Sequence, residues 1–153
     1  LMDTWREGAH AYKGTTVPGY PNLFLIVGPN TGLGHNSMIL MIEAQVAYIL
    51  DALKQMQRQR IATVEVKPTV EQAYNHHLQH KLERTIWNTG GCQSWYLDPR
   101  TGRNTTLWPG STWRFKQLTR QFALKDYVTG MAVLSPPARA PSVVRANPEG
   151  SLS

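Results

Sequence analysis

The run Gly28-Pro29-Asn30-Thr31-Gly32-Leu33-Gly34-His35-Asn36-Ser37 gathers the groups of this sequence best suited to approach a ligand. Its glycines leave the backbone bare, and Asn36 or Ser37 is placed to cap a helix whose first turn begins at Met38. A helix start presents unpaired N–H groups and the positive end of the peptide dipoles, so it favours an electronegative group. A phosphate-gripping loop of the form G-x-x-x-x-G-K-[S/T] needs a lysine that reaches the phosphates. Residues 28–37 contain none, which excludes that grip. Gly32-x-Gly34-x-x-Ser37 echoes the dinucleotide fingerprint but lies several residues beyond the preceding apolar run. Two readings stay open: a loop that brings a phosphate or a delocalised anion to a helix N-terminus, or a plain strand-to-helix connection.

Other reactive side chains form weaker patterns. His76 and His80 are four apart, with Glu83 on the same helical side, the spacing of a pair of metal ligands. No cysteine stands nearby and the spacing is common on wet helix faces, so no metal is expected. Cys92 is the single cysteine; without a partner it points to a reducing, cytoplasmic setting. No Ser, His and Asp grouping reads as a hydrolytic triad.

The glycine run needs elements to hold it. Leu23, Phe24, Leu25, Ile26 and Val27 form a short, wholly apolar run that reads as a strand buried on both faces. After the loop, Met38, Ile42, Val46, Ile49, Leu53 and Met56 recur at helical spacing to about Gln57, and the apolar residues all round its first turns imply burial on every side. Trp5, Ala9 and Tyr12 suggest a short helix within residues 1–12, ended by Gly14. Residues 60–66 alternate as a strand, and Pro68 opens a second helix reaching Ile86. Residues 93–98 and 104–108 flank a turn containing Gly102 and read as a hairpin. Ser111 and Thr112 cap a last helix through Trp113, Phe115, Leu118, Phe122 and Leu124, ending near Tyr127. The proline-bearing residues 135–153 read as a disordered tail. Residues 1–27 lack an opening strand-and-helix pattern, so an N-terminal part is expected to be missing.

Sixteen basic against ten acidic residues give a formal charge of +6. That balance is open to nucleic acid, an anionic membrane or an anionic cofactor. The basic residues are spread without a block, so a solvated surface explains them and nucleic acid is not the expected partner, though a small basic binding module stays as the alternative. The longest apolar run, interrupted by Glu43 and Gln45, is too short to span a bilayer.

The run from Pro18 to Met38, with Glu43-Ala44-Gln45 after it, resembles the C-terminal part of flavin-containing monooxygenases, especially the Baeyer-Villiger group. A second match is Trp87-x-x-Gly90-Gly91-Cys92-x-Ser94-Trp95-Tyr96 with Gly102 and Leu107-Trp108-Pro109, similar to the closing hairpin of that group. Together they cover residues 1–127. The resemblance implies an α/β fragment of a flavoprotein with two dinucleotide-binding domains. Residues 1–58 would be the last strand and helix of the FAD domain, and residues 59–134 a strand, helix, hairpin and helix appendage. It implies FAD reduced by NADPH, and a peroxyflavin that delivers one oxygen atom of O2 to a ketone or a heteroatom. By that match Gly28, Pro29, Asn30, Asn36, Ser37 and Met38 contact the flavin, with the Ser37 and Met38 N–H groups at its pyrimidine edge, while Leu33, Gly34 and His35 border the substrate. The glycine motifs for FAD and NADPH and the family's catalytic arginine are not in this sequence, so catalytic residues stay unassigned, and the fragment is expected to be inactive alone or to be a non-catalytic relic.

Overall fold

The computed structural model describes residues 1–33, 37–83, 97–98 and 101–131. Ser37 has extended backbone and its hydroxyl oxygen accepts the Ile39 N–H at 3.3 Å, so helix α1 runs Met38–Gln59 from the expected kind of cap. Arg60 ends α1 in the left-handed conformation, φ 55°, and turns the chain straight into strand β1, Ile61–Val66. Helix α2, Pro68–Glu83, follows, burying Leu78 and Leu82. Helix α3, Thr112–Leu118, starts from Ser111, whose hydroxyl oxygen accepts the Arg114 N–H. A 3₁₀ turn, Leu124–Asp126, leads into strand β2, Tyr127–Met131. β2 pairs antiparallel with β1, Val66 opposite Tyr127 and Val64 opposite Thr129, with an irregularity between Ile61 and Thr63.

Several expectations are corrected. Residues 23–27 form no strand: Ile26 and Val27 are about half exposed, and the run's backbone bonds go to a turn, a loop and a side chain instead of a ladder. Apolar composition cannot make a strand without a neighbour to pair with. The helix foreseen within residues 1–12 is a series of turns, with the Trp5 N–H donating to the Leu1 carbonyl and Gly8 left-handed at φ 104°. Within this chain α1 is covered on one side only, Ile39 being 64% exposed, as expected of a helix whose other side needs elements this chain does not contain. Its core stripe is Met41, Ala44, Gln45, Tyr48, Ala52 and Met56, while Val46 and Leu53 are exposed.

The last helix stops at Leu118; the capping Thr119 makes the final helical bond, its N–H to the Phe115 carbonyl, which its hydroxyl also reaches, each at 2.9 Å. Phe122 then crosses α1 in extended form, its N–H donating to Asp51 Oδ2 at 2.8 Å and its carbonyl accepting from Gln55 Nε2 at 2.7 Å. Trp113 is 71% exposed, not core. Of the hairpin, Leu97, Asp98 and residues 101–108 are described: Leu97 faces Asn104, the Asp98 N–H donates to the Arg103 carbonyl, and Gly102 has φ 68°. Residues 84–96 and the tail from residue 135 lie outside the described residues.

The main core joins Tyr12, Tyr48, Ala52, Met56, Val64, Val66, Phe122 and Tyr127. Phe122 stacks on Tyr127 at 4.2 Å between ring centroids and tilts against Tyr48 at 5.1 Å. A second cluster, Met41, Ala44 and Phe115 with Leu33, Met38 and Trp108, sits under the start of α1. A third links Leu78 and Leu82 to Leu107.

Phe122→Ala removes a ring shared by three aromatic partners and is expected to lower unfolding free energy by about 3–5 kcal/mol in urea denaturation. Trp113→Ala, at an exposed site, is expected to change it by less than about 0.5 kcal/mol.

Candidate functional site

The glycine run is fastened on both sides. On one side stands a tight turn, Tyr12 to Thr16, in which Lys13 and Gly14 both have positive φ, 52° and 63°, and the Tyr12 N–H donates to the Thr16 carbonyl at 2.8 Å. Gly28 lies so close to this turn that a methyl group on it would overlap the Gly14 carbonyl oxygen. The Leu25 N–H donates to the Thr15 carbonyl at 2.7 Å, and the Thr31 hydroxyl to the Gly28 carbonyl at 2.7 Å. On the other side, residues 104–108 pair with the run in parallel. The Asn30 N–H bonds the Thr105 carbonyl, the Gly32 N–H the Thr106 carbonyl and the Trp108 N–H the Gly32 carbonyl, at 2.8 to 2.9 Å.

Asn30, buried and left-handed at φ 57°, donates through Nδ2 to the carbonyls of Asn104 at 2.7 Å and Leu107 at 3.1 Å. Asn104 accepts the N–H groups of Thr106 and Leu107 through its side-chain oxygen. Asn30 Oδ1 and Asn104 Nδ2, an acceptor and a donor, are buried with no hydrogen-bond partner among the described residues. The third anchor is α1 itself: Gln45, fully buried, bonds the Val27 N–H, the Gly14 carbonyl and the Thr15 hydroxyl.

Of the residues expected at the cofactor, Gly28, Pro29 and Asn30 are thus brought together in one fastened loop, and Ser37 and Met38 form the start of α1. Of those expected at the substrate, Leu33 is half-buried and packs against the cluster of Met41, Ala44 and Phe115. Gly34, His35 and Asn36 lie outside the described residues. Gly28 serves close packing within the chain, so its bareness is not by itself a ligand signal. What remains open outward is a groove of about 440 Å³ along Leu25, Ile26, Val27, Gly28 and Pro29, walled by Trp5 and Thr105. Its lining is mostly apolar, which suits the edge of a flat ring such as a flavin; Ser37 and Met38 are not among its lining residues.

Three polar groups were missed in the sequence. His10 Nδ1 lies 2.7 Å from Glu71 Oε1 on α2, and Asn75 Nδ2 also donates to that carboxylate. The Glu71 hydrogen bond raises the His10 pKa above its ordinary 6.5, against the opposing effect of burial. Lys13, 5% exposed, has its amine 5.0 Å and 4.8 Å from the ring centroids of Tyr12 and Tyr48, and burial pulls its pKa down to about 8. Gln45 is the one of the three with a sequence signal: a polar residue four after Met41 and three before Tyr48 lies on the buried stripe. His76 and His80 are exposed on α2, and among the described residues no group of three or more His, Cys, Asp or Glu could hold a metal ion. No helix among them is long and apolar enough to cross a membrane.

No family model matches the chain. It is 58% identical over 142 residues to a Baeyer-Villiger monooxygenase of Pseudomonas aeruginosa, covering 91% of this chain and 27% of that protein. It is 48% identical over 128 residues to a Baeyer-Villiger monooxygenase of Streptomyces coelicolor, covering 83% and 24%. Among solved structures it is similar in fold to cyclohexanone monooxygenase from Rhodococcus sp. Phi1 bound to NADP+, at 21% identity and a TM-score of 0.74 over 86% of this chain and 25% of that one. An oxidised steroid monooxygenase bound to NADP matches at 23% identity and the same TM-score. The resemblance carried by the motifs therefore holds over nearly the whole chain, which spans about a quarter of the length of the relatives it matches.

A raised His10 pKa means that the folded state holds this proton more tightly than the unfolded one. Its stabilisation is complete below pH 6.5 and is lost as pH rises through the folded value. Urea midpoints are expected to fall on that account as pH climbs above 6.5, and Glu71→Gln is expected to flatten the slope.

Proposed function

We propose that this chain, by its sequence a stretch of the Baeyer-Villiger monooxygenase family, is the C-terminal portion of an FAD- and NADPH-dependent enzyme that inserts one oxygen atom of O2 into a ketone or onto a heteroatom. The observation that carries this reading is 58% identity over 91% of the chain to a protein of that name. FAD, when bound and reduced by NADPH, supplies the activation of O2. The chain's own residues hold and orient it. The groove beside residues 25–29 receives one edge of the ring, and the N–H groups of Ser37 and Met38 offset negative charge at the pyrimidine end. Pairing with residues 104–108, the Trp108 N–H to the Gly32 carbonyl included, holds the loop beside that space.

On this reading residues 1–58 close the FAD domain and residues 59–134 brace it. The exposed apolar side of α1, Ile39, Leu40, Val46, Leu50 and Leu53, is then the seat for the rest of that domain. Both halves of the site are needed, so the fragment alone is inactive. The lone cysteine accords with a reducing, cytoplasmic setting.

The test is the full-length protein that carries this chain, supplied with FAD, NADPH, cyclohexanone or a thioether, and isotopically labelled O2. Labelled ester or sulfoxide with matching NADPH consumption is expected; a flavin-free protein, or product without label, overturns the reading. Gly28→Ala, which drives a methyl group into the Gly14 carbonyl, is expected to weaken FAD retention about tenfold or more, as measured by flavin released on dilution.

A further inference from the structure

Gln45 interrupts an otherwise apolar stripe of α1 and is 0% exposed, so its amide must find partners inside the chain. Oε1 accepts the Val27 N–H at 2.9 Å. Nε2 donates to the Gly14 carbonyl at 2.9 Å, the Thr15 hydroxyl at 3.1 Å and the Leu25 carbonyl at 3.4 Å. One side chain therefore ties the helix to the turn at Gly14 and to the entry of the glycine run.

Val27 is the unusual member of this set. Its φ is 56°, in the left-handed region that a β-branched residue rarely adopts, and its side chain is 49% exposed, so burial does not force the conformation. What does force it is backbone: the N–H held by Gln45, and Gly28, next along, pressed on Gly14. Relaxing Val27 to the extended region would swing Gly28 and Pro29 away from the place the groove gives them.

We propose that Gln45 is a positioning residue for the flavin: by holding Val27 left-handed it fixes where Gly28 and Pro29 meet the ring. This rests on the flavoenzyme reading above. Gln45 touches no reacting atom; its effect passes through the backbone of Val27. Methionine at this position keeps the volume and removes every hydrogen bond, whereas glycine at position 27 takes positive φ without steric cost.

The experiment uses the full-length holoprotein and FAD as the probe, in wild type, Gln45→Met, and Gln45→Met combined with Val27→Gly. Dissociation constant, visible absorption of the bound flavin and unfolding temperature are read for each. Gln45→Met is expected to raise the FAD dissociation constant roughly tenfold, the size of one lost buried hydrogen bond, and to shift the bound-flavin spectrum. Adding Val27→Gly is expected to restore the spectrum and most of the affinity without restoring the unfolding temperature. A Gln45→Met protein whose bound flavin has the wild-type spectrum, or a double variant with no recovery, overturns the proposal while leaving the monooxygenase reading intact. Wild type without flavin overturns both.

Discussion

The contact between the backbones of Gly14 and Gly28 is the constraint from which the site's shape follows. No side chain of any size fits between them, so the turn at Tyr12 to Thr16 and the glycine run move as one body. That turn is in turn fixed from the far end of the chain: the Thr16 hydroxyl meets the Tyr127 hydroxyl at 3.1 Å, and the Tyr12 hydroxyl donates to Asp126 at 2.8 Å. Tyr127 also meets the Tyr48 hydroxyl of α1 at 2.9 Å. Burial raises the pKa of all three phenols, so they stay neutral and serve as fixed donors and acceptors in the core.

Local signals were readable where a local cause decides the outcome. α1, β1 and α2, the Ser37 cap and the left-handed Gly102 turn follow from spacing, capping chemistry and glycine at a positive φ. Residues 23–27 were misread because a strand needs partners as well as apolar side chains. β2 was overlooked because Phe122 and Leu124 continue a helical spacing in the sequence. Phe122 is drawn out of that spacing by Asp51 and Gln55 of α1, 71 and 67 residues away, contacts that no local window contains.

The site shows the same division. A loop at residues 28–33 and a helix start at Met38 were legible, and the motif match pointed to the monooxygenase family. That Gly28 is bare for the sake of Gly14, that Leu33 belongs to a core cluster, and that residues 104–108 lie alongside the loop were not, because each depends on a residue distant in sequence. Asn104 illustrates the difficulty: one asparagine caps its own turn and accepts from Asn30 with its main-chain oxygen, and neither role has a spacing signature.

The pairing of β1 with β2 bears on how the molecule comes into being. The hydroxyl bonds of Tyr127 to Tyr48 and Thr16 bridge separations of 79 and 111 residues. Contacts of that sequence range form late, because the loop they close must first give up its entropy. During synthesis α1 and β1 leave the ribosome well before the strand that completes their sheet, with Val64, Val66 and Tyr48 uncovered in the interval. The turn at Tyr12 to Thr16, against which Gly28 packs, therefore gains its Tyr127 and Asp126 bonds only after strand β2 has emerged.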